Sequence, residues 1–129
     1  MKEVWKLEFY VPDSHLEKVK AAVFATGAGQ VGNYCCCSWE TLGMGQFKPL
    51  AGSAPYIGEQ GEVEKAKEYK VELICESDVL EKAIAALRDA HPYETPAYQA
   101  WQVKISDEPI PGEDEDDEDD SPAEGAQQA

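Results

Sequence analysis

From Val4 to Val11 apolar and polar residues alternate, with Trp5, Leu7, Phe9 and Val11 on one side and Lys6, Glu8 and Tyr10 on the other. That is the pattern of a half-buried strand, and Pro12 ends it. Ser14 with Glu17 three residues later reads as a capping box, and Leu16, Val19, Ala22 and Val23 then recur at helical spacing until Gly27. Val31 to Trp39 has strand character, with Tyr34, Cys36 and Ser38 facing one way and Cys35, Cys37 and Trp39 the other. A second strand–helix unit follows. Glu68, Lys70, Glu72 and Ile74 alternate with Tyr69, Val71, Leu73 and Cys75, and Asp78 with Glu81 forms a second capping box. Val79, Leu80, Ala83, Ile84 and Leu87 make the stripe of a helix that ends at His91-Pro92. Tyr98 to Ile105 is the last strand, with Trp101, Val103 and Ile105 expected inward.

The two units superimpose without gaps. Residues 6–23 lie over 70–87, with Lys6/Lys70, Glu8/Glu72, Leu16/Leu80 and Glu17/Glu81 among the identical pairs, and repetition in register marks a duplicated structural unit. Two βαβ halves in tandem predict an α+β, ferredoxin-like (split βαβ) sandwich: a four-stranded antiparallel sheet with two helices on one face. The other face is then bare. It is expected to show Tyr10, Tyr34, Cys36, Ile74 and Ala100 beside Lys6, Glu8, Lys70 and Glu72, a mixture suited to a partner.

Between the halves runs Gly27 to Gly61, which holds eight of the ten glycines together with Tyr34, Trp39, Phe47 and Tyr56. Aromatic residues at that density predict an ordered, β-like excursion rather than a linker. It carries no G-x-x-x-x-G-K-[ST] string, so it is not a phosphate loop of that kind. A cradle for a small ligand and a clasp on a neighbouring subunit both remain open.

Charge alters the picture only at the end of the chain. The formal net charge is −15, but from Asp107 onward there are 11 acids and no base, leaving 15 acids against 11 bases before it. The expected organisation is therefore a domain over 1–106 and a disordered acidic tail over 107–129. No Lys/Arg cluster exists to meet a nucleic-acid backbone or an anionic membrane. The N-terminal MKEVWKLEFYV is no signal peptide, so a cytoplasmic location with reduced cysteines is expected.

Three segments, GAGQVGNYCCCSW, GMGQFKPLAGSAPYIGEQGEVE and AHPYETPAY, resemble the PII/CutA-like domain of the NGG-one-interacting-factor-three-like (YqfO-type) proteins, over about Lys6 to Val103. In most of those proteins the domain is an insert in a larger protein that binds two metal ions. Here Cys35, Cys36, Trp39 and Thr95 depart from the family pattern. Only His15 and His91 occur in this sequence, so the dinuclear centre and any hydrolase activity are not carried over. The resemblance implies a stand-alone trimeric module, not an enzyme, that binds a small-molecule effector or a protein partner. The alternative it implies is a divalent-metal-binding or metal-tolerance protein of CutA type.

Candidate residues for a ligand or a subunit boundary are Asn33, Tyr34, Phe47, Tyr56, His91, Tyr93 and Glu94. His91 and Glu94 sit at the C-terminal end of a helix, where the dipole favours a protonated imidazole and the pair can share a weakly held zinc or copper ion. Against this, two side chains make an incomplete metal shell, and the pair serves equally as a helix stop. No cofactor is required by any motif. Of the three consecutive cysteines only Cys35 and Cys37 can share an ion, because neighbours on a strand point to opposite faces.

Overall fold

The computed structural model describes residues 1–111; most of the expected acidic tail, from 112 onward, lies outside the described residues. The elements are β1 (Lys2–Pro12), a 3-10 turn (Asp13–His15), α1 (Leu16–Phe24), β2 (Trp39–Phe47), β3 (Glu64–Cys75), α2 (Leu80–Ala90) and β4 (Tyr98–Ile105). The strands are antiparallel in the order β2-β3-β1-β4, which places the two equivalent strands β1 and β3 at the centre. This is the expected ferredoxin-like sandwich.

One face of the sheet packs under both helices. Leu7, Phe9 and Val11 of β1 and Val71, Leu73 and Cys75 of β3 meet Leu16, Val19 and Val23 of α1 and Ala83 and Leu87 of α2 in a single buried cluster. The period-2 pattern of the strands and the 3.6-residue pattern of the helices thus converge on one core. No helix is long and apolar enough to cross a membrane among the described residues.

Four local expectations are corrected. Residues 31–38 are turns rather than a strand: Val31 and Tyr34 exchange backbone bonds of 2.8 and 2.9 Å, and Cys36 has a φ of 60°. The strand begins at Trp39, inside the glycine-rich stretch. Its partner β3 begins at Glu64 rather than Glu68, so Trp39–Glu72 to Phe47–Glu64 form a long two-stranded ribbon. Two glycines in the strand had masked its alternation.

The phase of β4 is also opposite to expectation. Ala100 and Tyr98 lie beside Leu7 and Phe9 on the core side, whereas Trp101, Val103 and Ile105 pair with Lys6, Val4 and Lys2 on the helix-free side. Apolar residues occur on both faces of this edge strand, so hydrophobicity could not choose between them, and a one-residue shift flips every side chain. With residues 31–38 outside the sheet, Tyr34, Cys36 and Ala100 leave the expected helix-free set.

Neither capping box closes. The residues before α1 and α2 make no side-chain cap bond, and Ser14 Oγ instead lies 2.9 Å from His15 Nδ1. The helix ends fare better. Gly27 follows α1 with φ 101°, and α2 stops at Ala90 because Pro92 drives His91 into extended backbone, ψ 137°.

Candidate functional site: an aromatic corner and a helix-free face

Pro92 turns the chain away from α2 and leaves the His91 ring folded under the turn. Tyr93 N donates to His91 Nδ1 at 3.1 Å, so the ring proton sits on Nε2, which donates to the Tyr10 carbonyl at 2.7 Å. The ring is 7% exposed. Burial is the main cause that pushes its pKa below the ordinary value, with His15 adding to it, against the opposing pull of the Tyr10 carbonyl and Glu68. The helix-end dipole does not prevail here; His91 is a neutral, doubly bonded imidazole.

Tyr93 Oη donates to Glu68 Oε2 at 2.7 Å. Its phenol is pushed well above the usual range, by burial first and then by Glu68. Gly45 makes that contact feasible, since a side chain there would collide with the Glu68 carboxylate. Glu94 Oε1 accepts from Ala54 N at 2.8 Å and so pins the loop between β2 and β3 onto the corner. Ring centroids lie 4.9 Å apart for His91–Tyr93, 5.9 Å for Phe47–Tyr93, 6.2 Å for Tyr56–Tyr93 and 5.5 Å for His15–Tyr56.

Five of the seven candidates therefore meet: Phe47, Tyr56, His91, Tyr93 and Glu94. Asn33 and Tyr34 do not. They sit in the 31–38 turn at the opposite end of the sheet, where the neighbouring Gly29 N bonds the Ile74 carbonyl. His15 and Glu68 complete the corner, and nothing local in the sequence marks either. The residues do not fit a metal ion within one chain. Both His91 nitrogens and one Glu94 oxygen are engaged, and among the described residues no group of three His, Cys, Asp or Glu is arranged to hold one. The Ser14–His15 contact joins adjacent residues, the first exposed and the second half-buried, and no carboxylate orients that imidazole among the described residues.

The helix-free face is built differently. Lys6 Nζ lies 3.1 Å from Glu72 Oε1, Lys70 Nζ lies 3.9 Å from Glu8 Oε2 and 3.8 Å from Glu72 Oε2, and Gln99 donates to Glu8 Oε1 at 2.8 Å. Each charge in this ladder is matched inside the chain. Around it stand Val4, Tyr10, Ile74, Trp101, Val103 and Ile105, with Trp101 41% and Trp39 61% exposed. Towards one end a cavity of about 260 Å³ opens between Lys6, Val31, Trp39, Ile74 and Ile105.

The sheet, the two helices on one face of it and the long β2–β3 ribbon have counterparts among solved structures. The fold matches CutA from Archaeoglobus fulgidus with a TM-score of 0.57 over 81% of this chain and 87% of that one, at 14% identity. Residues 55–109 match the model of the CutA1 divalent ion tolerance protein family. Sequence kinship lies elsewhere. A Bacillus cereus protein related to NIF3 superimposes with a TM-score of 0.69 at 34% identity, over 81% of this chain and 26% of that one. The GTP cyclohydrolase 1 type 2 homolog of Halalkalibacterium halodurans is 40% identical over 100 residues, 78% of this chain and 27% of the relative. Over about three quarters of its length the chain is thus similar to NIF3-related proteins, and over residues 55–109 to the CutA1 family. It spans about a quarter of the length of the curated relatives it matches.

Proposed function

We propose that the chain is a binding and assembly module, not a catalyst, that closes as a homotrimer through its helix-free face. The observation that carries this reading is the composition of that face. A charge ladder satisfied within the chain leaves near-neutral polarity, and the exposed Trp39 and Trp101 beside it favour a protein partner over water. A second copy of the same face meets those requirements without stranding a charge. The edges β2 and β4 also carry unpaired backbone groups, which neighbouring copies can cover. The number three comes from the resemblance to PII and CutA proteins.

In such an assembly the aromatic corner and its tethered loop lie close to subunit boundaries, where a small effector or a protein partner would dock. A cytoplasmic setting suits the four unbridged cysteines. Trp101→Glu, which places a charge on the rim, should release smaller species on size exclusion. Unchanged elution would remove the face from the interface. The CutA1 match favours a second reading, a divalent-cation role, but the side chains of one chain do not supply a shell. Calorimetry should find zinc or copper bound weakly if at all; tight binding would restore the cation reading.

A further inference from the structure

The turn from Val31 to Ser38 holds three consecutive cysteines, and the structure separates them. Cys37 is buried, while Cys35 and Cys36 are exposed. The turn is tied at both ends: Val31 and Tyr34 bond each other, and Cys37 N donates to the Gly29 carbonyl at 2.8 Å, with Gly29 N held in turn by Ile74. Between these ties Cys36 takes φ 60°, the one positive value at a non-glycine residue among those described. A side chain rarely occupies that region without a compensating reason. Packing supplies none, because the Cys36 thiol is exposed.

The strained backbone does have a geometric effect. In an extended strand the side chains of neighbours point apart, and the left-handed Cys36 breaks that alternation. The Cys35 side chain is also the first cause that raises the Cys36 pKa, with burial a lesser one, so Cys36 is cast as the resolving thiol rather than the attacking one. Two accessible thiols on adjacent residues offer an oxidised sulfur a neighbour that can trap it before it oxidises further.

We propose that Cys35 and Cys36 form a vicinal dithiol that closes reversibly to a disulfide when the protein meets a hydroperoxide. The Cys35 sulfur attacks a peroxide oxygen, becomes a sulfenic acid and releases water. The neighbouring sulfur then displaces the hydroxyl as a second water, so two electrons pass from the dithiol to hydrogen peroxide. The ring that results contains the Cys35–Cys36 peptide bond and stiffens the turn that leads into β2. Exposed, strained disulfides are the readily reduced kind, which makes the change a switch rather than a staple. The inference stands independently of the assembly reading.

The test treats the reduced full chain with hydrogen peroxide, alkylates the remaining thiols and measures intact and peptide masses. The expected product is a single chain lighter by two hydrogens, with two of its four thiols blocked and both restored by dithiothreitol. All three turn cysteines fall on one tryptic peptide, so serine variants assign the pair. Cys35→Ser or Cys36→Ser should abolish the bridge, and Cys37→Ser or Cys75→Ser should leave it. As a second readout, phenylarsine oxide, which condenses with paired thiols and releases water, should bind once per chain and fail with either exposed variant. A bridge that survives Cys36→Ser, one that links two chains, or sulfinic acid formation without a bridge would overturn the proposal.

Discussion

The two faces of the sheet solve the same problem in opposite ways. Under the helices, Leu7, Phe9, Val11, Val71 and Leu87 are at most 0% exposed and carry no polar atom in their side chains. On the other face Glu8, only 9% exposed, accepts a hydrogen bond from Gln99 and lies 3.9 Å from Lys70. The first face gains its stability by excluding water within one chain. The second keeps a polar ladder at its centre and leaves its apolar groups at the rim, a distribution that makes sense when another surface covers it. A face meant for solvent would not set Trp39 and Trp101 beside it. What the contrast teaches is that a face covered by helices and a face free of them are encoded by different arrangements of the same alternating strands.

The largest expected effect falls on the covered face. Phe9→Ala should cost roughly 3–5 kcal/mol, the range for emptying a buried aromatic site, as measured by denaturant unfolding at fixed protein concentration. A loss comparable to that of a surface change would mean the core is not where the sheet and helices meet.

Next comes the corner that joins the two regions. His91→Ala leaves the Tyr10 carbonyl and Tyr93 amide without their buried partner and should cost about 1–3 kcal/mol. Because burial lowers the folded-state pKa of His91, its contribution is complete above the unfolded value of about 6.5 and is lost as pH falls through the lower folded value. The unfolded chain takes up the proton first, so stability declines on acidification, and the variant should flatten that slope. An identical slope in wild type and variant would assign it to the carboxylates.

Tyr93→Phe keeps the ring contacts with Phe47 and Tyr56 but removes the donor to Glu68. A loss of roughly 1–2 kcal/mol is expected, with a larger effect on proteolysis of the loop from 48 to 63 than on global unfolding. Smallest of all should be Lys6→Met, which breaks the Lys6–Glu72 pair on a partly exposed surface. Such pairs contribute about 0–1 kcal/mol. A much larger cost in the assembled protein would show that the ladder is sealed between subunits.

Much of this architecture was legible in the chain. Leu7, Phe9 and Val11 announced β1 because Lys6, Glu8 and Tyr10 alternate with them, and Lys70 and Glu72 around Val71 announced β3 in the same way. The duplication then supplied the topology. What stayed hidden had weak or contradictory local signals. Gly43 and Gly45 diluted the alternation of β2, while three cysteines in a row imitated a strand where Cys36 breaks it. Trp101 and Ala100 competed for the inward side of β4, and only pairing with β1 decided between them. At the corner, HPYE marked a site, yet Glu68 and His15 reach it from distant elements and Asn33 and Tyr34 never do. A tertiary contact between residues far apart in the chain leaves no trace in local spacing.

The central claim is that the helix-free face is completed by two further copies of the chain. Multi-angle light scattering at micromolar concentration tests it most directly. The expected result is a mass three times that of one chain, held over a dilution series and reduced by Trp101→Glu. A single-chain mass across that range would contradict it, and would leave Trp39 and Trp101 facing water.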